Sequence, residues 1–312
     1  MDPQLIPLVV LATLTAGMVG ANNASNATAT LAGAKVTTHS RAAMIFATGL
    51  LLGSLLEGGK MSGAVLGRAL EGVLGSWSVG VILGVTFGMI VIATGMGLPL
   101  PVTQALYGAA IGSGIFLGTP LNLAGITVVL ISWIITPVVA AGASFGIARM
   151  GRKIGTKDVR TGAIVYGILT LATGFYTAYV LGANTIGLVA GIMKGGIGWE
   201  AALALAATSS TLGGILFGRK VSTTVGERIA IMGPQTAFAC QLSGALTVHL
   251  FTQAGIPVSI SHAIVGGVAG GALSKGFRAL NAASWARLAA LWFLTPLITM
   301  VLAWVIHASA AA

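Results

Sequence analysis

Charged side chains are scarce in this chain, and their scarcity excludes a soluble fold. Only 7% of the 312 residues are Asp, Glu, Lys or Arg, whereas 56% are hydrophobic and the mean hydropathy is +0.97. A soluble domain has about 25% charged residues. Because lipid offers backbone groups no hydrogen-bond partners, the spanning elements must be helices. We therefore expect an all-α polytopic membrane protein with about 10–12 membrane segments, some of them shorter than a full crossing of about 20 residues.

Cysteine and acidic residues are also few. The single Cys240 excludes an internal disulfide and a cysteine metal cluster. The six acidic residues and four histidines are scattered, so they supply neither paired acids, a metal triad nor an activated nucleophile. We therefore expect a protein that is not an enzyme and has no resident cofactor or metal, apart from bound Na⁺ if sodium is its coupling ion.

The net charge of +10 comes from Lys and Arg residues placed between the apolar runs. The largest cluster consists of Arg149, Arg152, Lys153, Lys157 and Arg160. This placement is typical of cytoplasmic loops in a multi-pass protein of the cell membrane, and no soluble domain is present to bind nucleic acid. The N-terminus has no basic residue before Lys35, which argues against a signal peptide and for an N-terminus outside the cytoplasm.

Four sequence landmarks occur twice, about 160 residues apart, which indicates a duplicated chain. They are Gly-Ala-Asn at 20–22 and 182–184, Leu-Glu-Gly-Gly-Lys at 56–60 with Leu-Phe-Gly-Arg-Lys at 216–220, Gly-x-Pro segments at 97–105 and 255–263, and Trp-x-x-Thr-Pro at 133–137 and 292–296. Two such halves with Gly/Pro-interrupted apolar segments are typical of secondary transporters. We predict two inverted-topology repeats with broken or re-entrant helices, 1–148 and 161–312, joined by a basic cytoplasmic linker, 149–160.

The first polar motif is an asparagine cluster inside a long apolar stretch. Asn22, Asn23 and Asn26 lie there, and the second copy supplies Asn184 and Thr185. A buried amide without a partner costs about 1–3 kcal/mol. These side chains therefore require pairing with one another, water or a ligand, and one alternative is that they join helices through hydrogen bonds.

The second polar motif follows the Gly-x-Pro segments. Thr103 and Gln104 come after Pro101, and Ser259, Ser261 and His262 follow the second Gly-x-Pro. Proline followed by hydroxyl residues predicts a helix start. Free backbone N–H groups there, with about half a positive charge, form an anion site. The alternative is an ordinary kinked helix with capping residues.

With both motifs in two copies, the chain resembles the inorganic phosphate transporter (Pit) family of cation-coupled permeases. The resemblance covers essentially the whole chain, including the segments around Lys60 and Lys220. It implies an inverted-repeat fold, commonly dimeric, with phosphate between the broken helices. It also implies anion contacts from Thr103, Gln104, Ser261 and His262, with Asn22 and Asn184 beside them.

The chain departs from the family pattern at the position that follows Gly-Ala-Asn. The family has an Asp there, which is thought to help bind sodium, whereas this chain has Asn23 and Thr185. Leu188 replaces a usual Asn, and Pro101 replaces a usual Ser. A sulfate-transporting branch of the family also deviates in these motifs. The anion therefore stays open between phosphate and sulfate, and the coupling ion between Na⁺ and H⁺.

One carboxylate, Glu57, is expected at membrane depth, because it follows the apolar run 42–56. An acid in the membrane is a functional candidate, although an ion pair with Lys60 at the interface is the plainer interpretation. His262 is a second titratable candidate. The candidate coupling residues are Asn23, Asn26, Thr185 and Glu57.

A coupling cation is physically required for import of a dianion. Each charge moved against 100 mV costs about 2.3 kcal/mol, and two helix starts together supply only about one positive charge. The sequence therefore predicts phosphate import by symport with Na⁺ or H⁺. A sulfate permease is the first alternative, and a passive anion channel is the second.

Overall fold

The computed structural model describes residues 5–154, 158–228, 233–276 and 282–312, and in these ranges the secondary structure is helical. The first half contains six α-helices and a short 3₁₀ helix. These are α1 (Leu5–Gly33), α2 (His39–Glu57), the 3₁₀ helix Gly58–Met61, α3 (Ala64–Ala69), α4 (Ser76–Gly95), α5 (Val102–Leu117) and α6 (Leu123–Ile154).

The second half repeats this order with one added break. Its elements are α7 (Val159–Leu181), a π-helical turn (Gly182–Ile186), α8 (Gly187–Ile197), α9 (Trp199–Phe217), α10 (Arg219–Arg228), α11 (Pro234–Gln253), α12 (Ile260–Leu273) and α13 (Ala282–Ala311). Of the predicted linker 149–160, residues 149–154 continue α6, 155–157 lie outside the described residues, and Asp158 caps α7.

Seven of the described helical segments are long and apolar enough to cross a membrane. The apolar helices α5 and α12 are shorter, as expected for the interrupted segments. Helix α11 stands where the first half has α4, a candidate span, and polar residues such as Gln241 and His249 lower its hydropathy. The prediction of an all-α multi-pass membrane protein is confirmed.

The two halves pack against each other through contacts that occur twice with their partners exchanged. A Cβ added to Gly108 of α5 would lie 2.2 Å from the carbonyl oxygen of Pro296 in α13. A Cβ added to Gly266 of α12 would lie 2.3 Å from the carbonyl oxygen of Pro137 in α6. These four positions are equivalent in the two copies, so a local two-fold relates the halves. Small residues are required because the backbones touch.

A left-handed glycine turn precedes each of the two short helices. Gly97 has a φ of +72° and Gly255 a φ of +61°. Side chains other than glycine rarely adopt this conformation. The turn lets the chain leave the end of α4 or α11 and start α5 or α12 within a few residues, and it explains the first glycine of each Gly-x-Pro segment.

Candidate functional site at the starts of the short helices

The first residues of α5 and α12 meet in the interior, close to the middle of α1. The Thr103 hydroxyl at the start of α5 donates to the carbonyl oxygen of Val258, at 3.2 Å. On the other side, Asn26 Nδ2 of α1 donates to Ser261 Oγ of α12, also at 3.2 Å. Both hydroxyl residues are buried. The structure thus brings the two copies of the second motif together with the asparagine cluster.

Both polar atoms of the Asn22 side chain form hydrogen bonds within the protein. Its Oδ1 accepts from the backbone N–H of Leu100 at 2.7 Å, and its Nδ2 donates to Thr94 Oγ1 at 3.0 Å and to the Leu98 carbonyl at 2.9 Å. In the second half, Asn184 Nδ2 donates to Thr252 Oγ1 at the same distance of 3.0 Å. The two equivalent asparagines therefore hold the ends of α4 and α11, just before the glycine turns.

Two polar atoms at this place have no hydrogen-bond partner among the described residues. They are Asn23 Nδ2 and Gln104 Oε1, whereas the buried His262 ring bonds the backbone of Trp133. Each of these residues is at most 3% exposed, and the His262 ring lies 4.1 Å from the Trp292 ring between centroids. Buried polar groups in folded proteins almost always have a partner. A polar ligand or water between the two helix starts would supply it.

The two helix starts are capped differently. The Ser259 hydroxyl accepts from the backbone N–H of His262 at 3.5 Å and so caps α12. The equivalent position before α5 is Pro101, which provides no side-chain cap. The first N–H groups of a helix have no partner within the helix. At the start of α5 the Pro101 carbonyl accepts from the backbone N–H groups of Gln104 at 2.9 Å and Ala105 at 3.2 Å, and the Leu100 carbonyl accepts from Val102 at 2.9 Å. The Thr103 N–H is left without an acceptor among the described residues.

The candidate coupling residues of the two Gly-Ala-Asn motifs form hydrogen bonds within their own copies of the motif. Asn23 Oδ1 accepts from Asn26 Nδ2 at 3.0 Å. Thr185 lies in the π-helical turn, where its hydroxyl approaches Asn184 Oδ1 at 3.5 Å. Such turns are frequent at functional sites. The equivalent residues 20–24 belong to the unbroken helix α1, a difference between the copies that the repeated motif does not reveal.

Glu57 lies elsewhere, at the end of α2. Its carboxylate pairs with Lys60 at 3.0 Å, as the spacing indicates, and it also contacts His249, Gln253 and Tyr179. Sequence analysis missed these partners. The signal available was a histidine and a glutamine in an otherwise apolar segment, but nothing in the chain order places them beside α2.

Sequence comparison supports the assignment that the motifs suggest. The sequence profile described as "Phosphate transporter family" matches residues 19–166 and again residues 153–303, which is one match for each half. The chain belongs to the phosphate transporter family. It is therefore a membrane transporter and not an enzyme, and the resemblance drawn from the motifs is confirmed.

Two relatives match nearly the full length, and both are named "Putative phosphate permease". The relative from Methanocaldococcus jannaschii is 25% identical over 293 residues, which cover 93% of this chain and 92% of that protein. The relative from Thermococcus kodakarensis is 26% identical over 384 residues, with 95% of each chain covered.

A solved structure named "The sodium-dependent phosphate transporter" has the same fold. It superimposes with a TM-score of 0.89 over 99% of both chains, at 22% sequence identity. At this identity the match establishes the fold of this phosphate transporter family member.

Proposed function

We propose that this protein imports inorganic phosphate across the cell membrane by symport with a cation, and that the anion binds between the starts of α5 and α12. The observation that carries the proposal is a pair of buried atoms, Asn23 Nδ2 and Gln104 Oε1, that have no hydrogen-bond partner among the described residues and lie where the two helix starts meet. Membership of the phosphate transporter family supports phosphate as the substrate.

The anion would be held by neutral donors. Ser261 Oγ accepts from Asn26, so its own proton is free to point at a ligand oxygen. The backbone N–H of Thr103 and the Nδ2 group of Asn23 have no acceptor among the described residues and are further donors. The helix starts contribute about half a positive charge each. In this arrangement Asn22 and Asn184 position the turns, and Thr103 joins the two helix starts.

Free acceptors at the site favour phosphate over sulfate. Gln104 Oε1 has no donor among the described residues, and a neutral imidazole such as that of His262 has one acceptor nitrogen. Hydrogen phosphate carries an O–H group that can donate to such an acceptor, whereas the sulfate dianion carries none. A site that leaves a buried acceptor unpaired discriminates strongly against the ligand without the donor.

The exchanged packing also supports an inverted repeat. The short helices α5 and α12 are related by the local two-fold, as are the Gly108–Pro296 and Gly266–Pro137 contacts. If the two-fold axis lies in the membrane plane, the two helix starts approach the site from opposite sides, as alternating access requires. A homodimer in the lipid bilayer is the assembly that the family resemblance predicts.

The test is uptake by purified protein in liposomes, with labelled phosphate and labelled sulfate under separate sodium and proton gradients. We expect saturable phosphate uptake that depends on one cation gradient and is weakly inhibited by sulfate. Equal or preferred uptake of sulfate would make the protein a sulfate permease, and uptake that does not saturate or respond to a cation would indicate a channel.

Site placement is tested with Ser261→Ala and the matched control Ser309→Ala. Ser309 lies at the exposed end of α13 and bonds only the carbonyl of Ile306 among described residues. Loss of one donor to a charged ligand corresponds to about 1.5–3 kcal/mol, so the phosphate KM should rise at least tenfold in Ser261→Ala. Unchanged kinetics in both variants would remove Ser261 from the site.

A further inference from the structure

A second polar cluster lies away from the anion site, around the carboxylate of Glu57. Glu57 Oε2 accepts from Lys60 Nζ at 3.0 Å, from His249 Nε2 at 3.0 Å and from Gln253 Nε2 at 2.6 Å. Its Oε1 accepts from the Tyr179 hydroxyl at 2.8 Å. With Tyr176, these residues are here named the Glu57 cluster. It joins α2 and the 3₁₀ helix of the first half to α7 and α11 of the second.

Within this cluster, the His249 ring is bonded at both nitrogens. Nε2 contacts the Glu57 carboxylate, and Nδ1 lies 2.5 Å from the Tyr176 hydroxyl. Because a carboxylate only accepts, Nε2 must carry a proton in either charge state. In the neutral ring, Nδ1 accepts from Tyr176. A proton added at Nδ1 would be donated to the Tyr176 oxygen instead, so the ring can gain and lose a proton without breaking a contact.

The groups around the pair favour an ionised Glu57 carboxylate, and this carboxylate in turn favours a positive charge on the His249 ring. From the described elements around the pair, the charged and titratable groups are Lys60, Tyr176 and Tyr179. Four donors stabilise the ionised form of Glu57, and the resulting carboxylate stabilises an imidazolium beside it. The His249 ring is therefore the member of the cluster whose hydrogen-bond partners suit both of its charge states.

The cluster interrupts the symmetry between the two halves. By the spacing of the repeated motifs, the positions of Glu57, His249 and Gln253 correspond to Phe217, Val91 and Gly95 in the other copy. A cavity of about 640 Å³ lies at that equivalent place, with Val91, Phe217 and Lys220 in its lining. Since the fold is built there without such a cluster, the Glu57 cluster is not needed for the repeated architecture.

The cluster is connected to the anion site through the end of α11. Gln253 directly follows Thr252, which accepts from Asn184 of the second Gly-Ala-Asn motif. It precedes the turn into α12, where Arg68 of the first half donates to the carbonyls of Gly255 and Ala254 at 2.7 and 3.1 Å. A change of charge on His249, one helical turn earlier, therefore acts on the segment that positions the start of α12.

From this geometry we propose that His249 binds the coupling proton of transport, with Glu57 as its positioning residue. The proposal rests on the proposed function and names its coupling ion as H⁺. A proton from water forms an N–H bond at Nδ1 of His249, and the Tyr176 hydroxyl changes from donor to acceptor. The N–H bond breaks when the proton is released to water on the other side, and the Tyr176 hydroxyl donates to Nδ1 again. The added charge offsets one of the two negative charges of hydrogen phosphate, in a chain whose two Gly-Ala-Asn motifs lack the acid of the family pattern.

The experiment compares His249→Gln with His307→Gln in liposomes. Glutamine keeps an N–H donor for Glu57 but cannot titrate, and His307 lies in α13 against Phe116, outside the cluster. Phosphate binding to each purified variant is measured first, and then uptake of labelled phosphate with and without an inward proton gradient. Phosphate itself changes protonation over this pH range, and the His307 variant controls for that change.

We expect His249→Gln to bind phosphate like the wild type but to lose the stimulation of uptake by the proton gradient, which His307→Gln retains. Equal stimulation in the two variants overturns the proposal, as does wild-type uptake that responds to sodium but not to protons. If the wild type neither binds nor transports phosphate, the proposed function itself fails.

Glu57→Gln tests the same proton site in a protein that keeps His249. Glu57→Gln removes the charge that stabilises the imidazolium, so stimulation should persist but require a lower pH. An unshifted pH profile in Glu57→Gln, in protein that binds phosphate normally, contradicts the assignment.

Discussion

The side-chain oxygen of Asn22 accepts a hydrogen bond from the backbone N–H of Leu100 at 2.7 Å. This bond joins the middle of α1 to the residue before Pro101, and the Asn22 amide nitrogen binds the Leu98 carbonyl at 2.9 Å. One side chain thus satisfies two backbone groups of the turn that starts α5. The turn could not otherwise be buried without loss of those bonds.

Asn22→Ala should therefore destabilise the protein more than an ordinary polar substitution. It leaves a buried donor on Leu100, which costs about 1–3 kcal/mol, and it also removes the bond to the partly buried Leu98 carbonyl. The melting temperature in detergent should fall clearly, and phosphate uptake should fall with it. Thr48→Ala is the control, because among described residues Thr48 bonds only the Met44 carbonyl, on the exposed side of α2. Equal melting temperatures would show that the Asn22 bonds do not hold the turn.

Gly108→Ala should disrupt the contact between the two halves. The added methyl group would lie 2.2 Å from the Pro296 carbonyl oxygen, so α5 and α13 must separate. Overpacking of this kind costs about 1–3 kcal/mol. The control is Gly88→Ala in α4, where no described residue lies within 4 Å of the new carbon. Thermal unfolding in detergent measures the stability of both variants. A Gly108 variant as stable as the Gly88 variant would contradict the close contact between α5 and α13.

Asn23→Asp should introduce a response to sodium. The aspartate keeps an oxygen for the 3.0 Å bond from Asn26, and it places a negative charge where Asn23 Nδ2 has no partner among the described residues. Carboxylate oxygens are ligands that hard cations prefer. Phosphate uptake by this variant in liposomes should rise under an inward sodium gradient more than wild-type uptake does. A flat sodium response would remove position 23 from the candidate cation site.

Asp158 should make the start of α7 sensitive to acid. Hydrogen bonds from Thr161 and from the Arg160 backbone hold the pKa of this carboxyl below its usual range. The ionised cap therefore stabilises α7 fully at pH values above the ordinary aspartate pKa of about 3.9. This stabilisation is lost as the pH falls through the lower pKa that Asp158 has in the folded protein. Amide hydrogen exchange at Arg160 and Thr161 should increase over that range. In the Asp158→Asn variant the side chain caps without titrating, so exchange there should not follow pH in this way.

The duplication made most of the fold predictable from sequence. A glycine that must accept a neighbouring backbone, or a turn that needs a positive φ, leaves the same mark in both copies, as at Gly108 with Gly266 and at Gly97 with Gly255. Membrane helices are also evident from composition, because lipid tolerates so few charges. Local physical requirements therefore made the fold class, the two repeats and the interrupted helical segments predictable.

The roles of individual polar residues did not follow in the same way. Asn22 and Asn23 are neighbours with the same side chain, yet the first is fully bonded to the turn before α5 and the second keeps an amide nitrogen without a partner among the described residues. Successive residues of a helix point about 100° apart, so they meet different partners, and those partners come from distant parts of the chain.

The sequence by itself determined a duplicated, helical membrane protein with paired anion motifs, because burial in lipid and close helix contact restrict which residues can stand where. Only the tertiary structure decided that His249 meets Glu57 and that Thr103 meets the Val258 carbonyl. Those pairs are separated by more than a hundred residues, and nothing but the packing of the two halves brings them within bonding distance.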